Sequence, residues 1–143
     1  MIGLLLVSHG RMAEGMLDSL DLIMGKPEYM NSVSLVAGED FEVLKQELTK
    51  EIRRLHDGDG VLVFVDLFGA SPYNAAQYVS MQFQQEGLPV RIVTGMNLAM
   101  VLESAALRSS LSLDALVETA KASGKDGIQE PILLSDEESE GDY

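Results

Sequence analysis

The chain has 143 residues, 46% of them hydrophobic, which suits one domain with a single continuous core. It contains no cysteine, which excludes disulfides, thiolate nucleophiles and cysteine metal sites, and fits a reducing, cytoplasmic compartment. A formal net charge of −13 argues against nucleic-acid binding, which needs a cationic surface to release counterions, and leaves a basic protein partner or plain solubility as its meaning.

The apolar run at residues 2–7 is too short to cross a bilayer and lacks the basic flank and cleavage pattern of a signal peptide, so the mature chain is expected to begin at Met1. The run reads as a first strand, ending at Ser8, His9 and Gly10. Ala13, Met16, Leu17, Leu20, Ile23 and Met24 then mark one face of a helix that Gly25 and Pro27 stop. Residues 32–37 form a weaker strand, after which Asp40 caps a helix with Phe41, Leu44, Leu48, Ile52 and Leu55 on its buried stripe. His56, Asp57 and Gly58 close it, and His56 is given only a helix C-terminal role.

Residues 61–65 are consecutive apolar residues, the pattern of a central strand covered on both faces, and they deliver Asp66 at the strand's carboxyl end. Ser71 suits an N-cap and Pro72 the first position of a third helix running toward Gln85. A turn at 87–89 leads to a fourth strand at 90–93. The loop from Thr94 to Asn97 opens a helix carrying Leu98, Val101, Leu102 and Ala105, and another helix starts from a Ser112 cap. Residues 128–134 read as a final extended segment, which Pro131 restricts to a sheet edge. Residues 135–143 are acidic and aperiodic and read as a disordered tail, which sets the domain at 1–134.

Alternating strands and helices predict an α/β fold, an open doubly wound, mostly parallel sheet of four strands with a C-terminal edge strand; 2-1-3-4 is the strand order expected, though alternation alone does not fix it. In such sheets functional groups gather beyond the carboxyl ends of the strands, where the strand order reverses. The loops after strands one, three and four hold His9, Asp66 with Ser71, and Thr94 with Asn97. If strands one and three are neighbours, His9 and Asp66 emerge side by side. Asp66 would then accept a hydrogen bond from one ring N–H and hold the tautomer, leaving the other nitrogen to attack a phosphoryl group. Gly10 and Arg11 lie at one helix start, and Gly69, Ala70 and Ser71 at another, where backbone N–H groups and a short hydroxyl can stabilise phosphoryl oxygens without a metal.

The same residues also allow a bland reading, with His9 a hydrogen-bonded structural residue, Asp66 a strand terminator, Ser71 only a cap and Arg11 a solvated helix-start residue. Neither an NTPase phosphate loop nor a G-x-G-x-x-G after a strand occurs, and two histidines far apart argue against zinc. No cofactor is therefore called for.

Three stretches carry a further signal: Val7-Ser8-His9-Gly10 with Ala13 to Met16, then Val65 to Asn74, then Thr94 to Met100. In order and spacing they resemble the enzyme IIA domain of the mannose class (mannose, fructose and sorbose family) of the bacterial phosphoenolpyruvate-dependent sugar phosphotransferase system, over roughly residues 1–130. The resemblance implies that His9 forms a phosphohistidine by accepting its phosphoryl group from HPr and passes it to an enzyme IIB on a separate chain, with membrane contact only indirect through the permease subunits. It also implies that Asp66 and Ser71 match the family's active-site aspartate and serine. Members are typically homodimers with a four-stranded parallel core and a C-terminal strand that can be exchanged between subunits. Leu67 and Ala70 depart from the pattern, in which a hydroxyl residue often follows the aspartate and a second glycine precedes the serine.

Alternatives left open are a regulatory module that uses the same phosphorylation as an input, the related phosphoryl-relay component serving dihydroxyacetone kinase, and a flavodoxin-like small-molecule binder. The transported sugar is not legible, because other subunits bind it.

Overall fold

A computed structural model describes residues 1–134. The tail assigned to 135–143 lies outside the described residues. The element order is β1 (Gly3–His9), α1 (Met12–Met24), β2 (Met30–Leu35), α2 (Phe41–Leu55), β3 (Val61–Val65), α3 (Ser71–Gln85), β4 (Val90–Thr94), α4 (Leu98–Leu107) and α5 (Leu113–Asp126). The four strands are all parallel, as the alternating pattern predicts, and lie in the expected order β2-β1-β3-β4.

Because side chains alternate across a strand, the two central strands feed two separate cores. Leu4, Leu6, Leu62 and Phe64 pack with Ala13 and Leu20 of α1, Val101 of α4 and Leu116 of α5. Leu5, Val7, Val63 and Val65 pack with Leu44, Leu48 and Ile52 of α2 and Ala75, Ala76 and Val79 of α3. β1 and β3 are thus covered on both faces, which is why their sequences are nearly unbroken apolar runs.

Gly3 marks the tightest approach of a helix to this sheet. A Cβ there would stand 2.5 Å from the Leu55 carbonyl oxygen and 2.8 Å from the Leu55 Cβ, so α2 can close on β1 only over a glycine. The Asp40 and Ser112 caps form as the sequence indicates, accepting from the amides of Glu42 and Ala115.

Several expected boundaries move. β1 covers Gly3–His9 rather than 2–7, because hydrogen bonding to β2 continues past the last buried apolar residue and includes the pairing of His9 with Leu35. β2 covers Met30–Leu35 rather than 32–37. It is an edge strand whose register is set by the ladder to β1, starting at Leu4 opposite Met30, and not by hydropathy. β4 extends by one residue to Thr94. Ile23 and Met24, expected on the buried face of α1, are exposed. Residues 128–134 form no strand within the described chain, and Ile128, Ile132 and Leu133 stand in solvent.

Candidate functional site

The register of β1 and β3 assembles the site. Val7 lies opposite Val65, and the Asp66 amide continues the ladder by donating to the Val7 carbonyl at 3.1 Å. His9 and Asp66 therefore leave neighbouring strands at the same end of the sheet. The Asp66 Oδ2 accepts from the His9 backbone amide at 2.9 Å and lies 2.8 Å from the His9 Nδ1. A carboxylate can only accept, so the ring presents Nδ1–H to it, and in the neutral ring the lone pair falls at Nε2.

The pair is asymmetric in exposure: the His9 side chain is 48% exposed and that of Asp66 only 10%. The second oxygen, Oδ1, is buried without a hydrogen-bond partner among the described residues. Both of the carboxylate's contacts thus fall on His9, one to its backbone and one to its ring. Such a charge-assisted contact orients the imidazole, favours positive charge on it and holds the proton of the neutral ring at Nδ1.

Two helices begin beside these strand ends. At α1 the nominal cap, Arg11, offers no side-chain capping bond, and Gly10 takes a positive φ of 57° to turn the chain into the helix. The Gly10 amide already donates to the Leu35 carbonyl at 2.8 Å, so at this helix start the glycine supplies the turn while its N–H is engaged elsewhere. Arg11 is exposed, with its guanidinium 3.4 Å from Glu14.

At α3 the cap is Ala70 rather than Ser71. Ala70 is extended, Ser71 is the first helical residue and Pro72 follows it, still within the first turn, where its missing N–H is harmless. Ser71 is exposed, and its hydroxyl makes no capping bond. Gly69 has a φ of 83°, and the Asn74 side chain donates back to the Gly69 carbonyl at 3.4 Å. The Phe68 ring rests on Tyr73, with centroids 4.8 Å apart, so the loop after β3 presents an ordered apolar rim of Leu67 and Phe68.

The third loop is structural. Asn97 accepts from the Met100 amide and donates to the Gly124 carbonyl, fixing α4 against α5, while the Met96 amide ties the loop to the Val65 carbonyl. His56 ends α2 and accepts from the Gly58 amide, ahead of β3 and so at the end of the sheet opposite the site. Among the described residues no cluster of three His, Asp or Glu side chains is placed to hold a metal ion.

Three side chains that shape the site carry no role in the sequence reading. Tyr73 supports Phe68, Asn74 closes the loop at Gly69, and Ser8 receives the Ala13 amide at 2.8 Å. For Ser8 the capping signal is hidden, because a capping hydroxyl normally lies two or three residues before the amide it accepts from, and here the separation is five.

The family model described as the PTS system fructose IIA component matches residues 3–121. The chain belongs to this family of phosphotransferase-system IIA components. It is 29% identical over 129 residues to the mannose-specific EIIAB component of Escherichia coli K12, covering 90% of this chain and 39% of that protein. It is likewise 29% identical over 129 residues to the fructose-specific EIIA component of Bacillus subtilis strain 168, covering 90% of this chain and 86% of that one. The crystal structure of phosphotransferase system component EIIA from Streptococcus agalactiae superposes with a TM-score of 0.83 at 30% identity, over 91% of this chain and 97% of that one. The chain thus spans about two fifths of the length of the EIIAB relatives and most of the length of the single-component IIA relatives.

Proposed function

We propose that this IIA component is a phosphoryl carrier that takes the group from phospho-HPr onto His9 Nε2 and yields it to an enzyme IIB for sugar uptake. The observation that carries the reading is the 2.8 Å contact between the His9 Nδ1 and a nearly buried carboxylate, on a ring that is itself half exposed. The Nε2 lone pair attacks phosphorus as the N–P bond of the donor phosphohistidine, protonated on its other ring nitrogen, breaks. The donor ring departs as neutral imidazole, and the His9 ring becomes a phosphoimidazolium that keeps its Nδ1 proton. Asp66 stabilises the positive charge gained by the ring, and no metal or cofactor enters the step.

The phosphoryl oxygens are received at the starts of α1 and α3. Ser71 supplies a hydroxyl there, while Arg11, Gly69 and Ala70 supply backbone amides. Gly10 contributes the turn that lets this backbone approach. Leu67 and Phe68 form an apolar rim suited to a docked protein and to slowing hydrolysis of the phosphohistidine between transfers. The hydroxyl that often follows the aspartate in the mannose class is replaced by Leu67, so Ser71 serves as the side-chain donor of this loop.

Two further features belong to the same reading. No helix among the described residues is long and apolar enough to cross a membrane, in keeping with a cytoplasmic carrier that meets the membrane only through its permease. The exposed segment 128–134 supports a homodimer in which it pairs with the free edge of β4 in a second copy.

Incubation with phosphorylated HPr tests the proposal directly. The wild-type chain should gain one acid-labile, alkali-stable phosphoryl group, the His9→Ala chain none, and a cognate IIB should discharge the label. Equal labelling of His9→Ala would refute the assignment. A phospho-His9 that no IIB discharges would favour a regulatory input instead.

A further inference from the structure

We infer that Ser8 is a positioning residue for the phosphoryl-accepting imidazole, acting through the turn that carries the chain from β1 into α1. The inference rests on the carrier role of His9 and adds the device that holds the histidine in place.

Ser8 is fully buried, a polar residue at the end of an otherwise apolar strand stretch. Its Oγ accepts from the Ala13 amide at 2.8 Å and donates to the Gly10 carbonyl oxygen at 3.4 Å. One hydroxyl therefore spans the short link of Gly10 and Arg11 and ties both of its ends to the strand. Arg11, the nominal helix cap, makes no side-chain capping bond, so Ser8 does that work from outside the usual position.

Alternation along β1 places the Ser8 side chain on the face of Leu4 and Leu6, against α1, and His9 on the opposite face with Leu5 and Val7. Ser8 has no direct path to the phosphoryl group and acts through the backbone. That route is short, because a single oxygen of Asp66 holds both the amide and the ring nitrogen of residue 9. A shift of the residue 9 backbone relative to Asp66 loosens both contacts together. The Gly10 amide on Leu35 fixes the turn from the β2 side, and Ser8 fixes it from the α1 side.

Removing the hydroxyl leaves the Ala13 amide without its acceptor and frees the turn. A cap serving stability alone would lower the melting temperature and leave the imidazole unchanged. A positioning residue predicts more. With phospho-HPr as donor, Ser8→Ala should lower kcat by on the order of ten- to a hundred-fold with KM little changed, because the ring is misplaced while docking is intact. Nitrogen-15 spectra of the histidine ring should show a smaller share of the Nδ1–H tautomer than in the wild type. Ser8→Thr, which keeps the hydroxyl, should restore both the rate and the spectrum. Phosphoramidate, a small donor that needs no docking, should reveal the same defect.

A Ser8→Ala protein that is folded, labels at the wild-type rate and keeps the wild-type ring spectrum would overturn the inference. So would a kinetic loss that Ser8→Thr fails to rescue. A wild-type chain that takes no phosphoryl group from either donor would overturn the carrier reading instead, and the ring spectra of the two proteins would still decide whether Ser8 orients His9.

Discussion

Val7 and Val65 face each other across the two central strands, and that single rung decides where His9 and Asp66 emerge. Asp66 follows its strand partner by one residue and His9 by two, which lets one carboxylate oxygen reach the backbone and the ring of the same histidine. Asp66→Asn keeps an oxygen able to accept from Nδ1 but removes the negative charge that favours the phosphoimidazolium. Phosphoryl acceptance from phospho-HPr should fall about ten- to a hundred-fold, as when an orienting partner of a histidine is lost, with the fold intact by circular dichroism. Ser71→Ala removes one donor among several and should cost less than His9→Ala, which should abolish labelling.

Glu47, midway along α2, has the carboxyl group of Glu39, just ahead of the helix, as its neighbour. Desolvation, followed by the hydrogen bond and charge of Glu39, raises the Glu47 carboxyl above its ordinary value of 4.5. A raised folded-state value means that the folded protein holds this proton more tightly than the unfolded chain. The stabilisation is fully present below pH 4.5 and is lost as pH rises through the folded value. Glu47→Gln should therefore raise the melting temperature at pH 7 and gain little at pH 4, a difference that parallel thermal melts will read. An equal effect at both pH values would exclude the paired-proton account.

Arg108 is a buried cation with backbone partners. Its guanidinium donates to the carbonyls of Ile2 at 3.2 Å and Tyr29 at 3.1 Å, and to that of Glu28, clamping the start of β1, the α1–β2 connection and the end of α4. Burial pushes its pKa below the ordinary guanidinium value. Arg108→Met fills similar space but strands the Ile2 and Glu28 carbonyls, the Tyr29 carbonyl keeping the Leu4 amide, so it should destabilise the fold by about 2–4 kcal/mol in urea titration, while phosphoryl acceptance by the folded fraction stays unchanged. A stability loss below about 0.5 kcal/mol, the range of ordinary surface substitutions, would show that water replaces the clamp freely.

The parts of this arrangement that were legible in the sequence are those fixed by local pattern. The run Val61–Val65 could only be a strand covered on both faces, and it placed Asp66; the Asp40 and Ser112 caps followed from residue type. Hydropathy reports burial rather than hydrogen bonding, so it ended β1 two residues early and put His9 beyond the strand instead of within its last rung. Ser71-Pro72 fits either of two adjacent helix registers, and only the extended backbone of Ala70 shows which one forms. Ser8 and Arg108 left no local signal at all. Ser8 caps over five residues, and Arg108 binds a carbonyl 106 residues away.

The C-terminal segment provides the last prediction. Ile128, Ile132 and Leu133 are exposed, the last at 97%, while β4 ends the sheet with nothing paired on its outer side among the described residues. Covering apolar side chains of this size is worth about 1.5–3 kcal/mol each, and pairing them on an open strand edge would satisfy backbone groups as well. Pro131 is compatible with an edge position, where its missing N–H can face solvent. A second copy offers the same open edge and the same free segment, so exchange between two chains satisfies both at once and closes with two-fold symmetry. Light scattering should give the full chain twice its 15.5 kDa monomer mass, and a chain ending at Gly127 should be monomeric with its phosphoryl acceptance retained. A full-length chain that stays monomeric at tens of micromolar (~50 μM), well above the dissociation constants of stable complexes, would rule out the exchange.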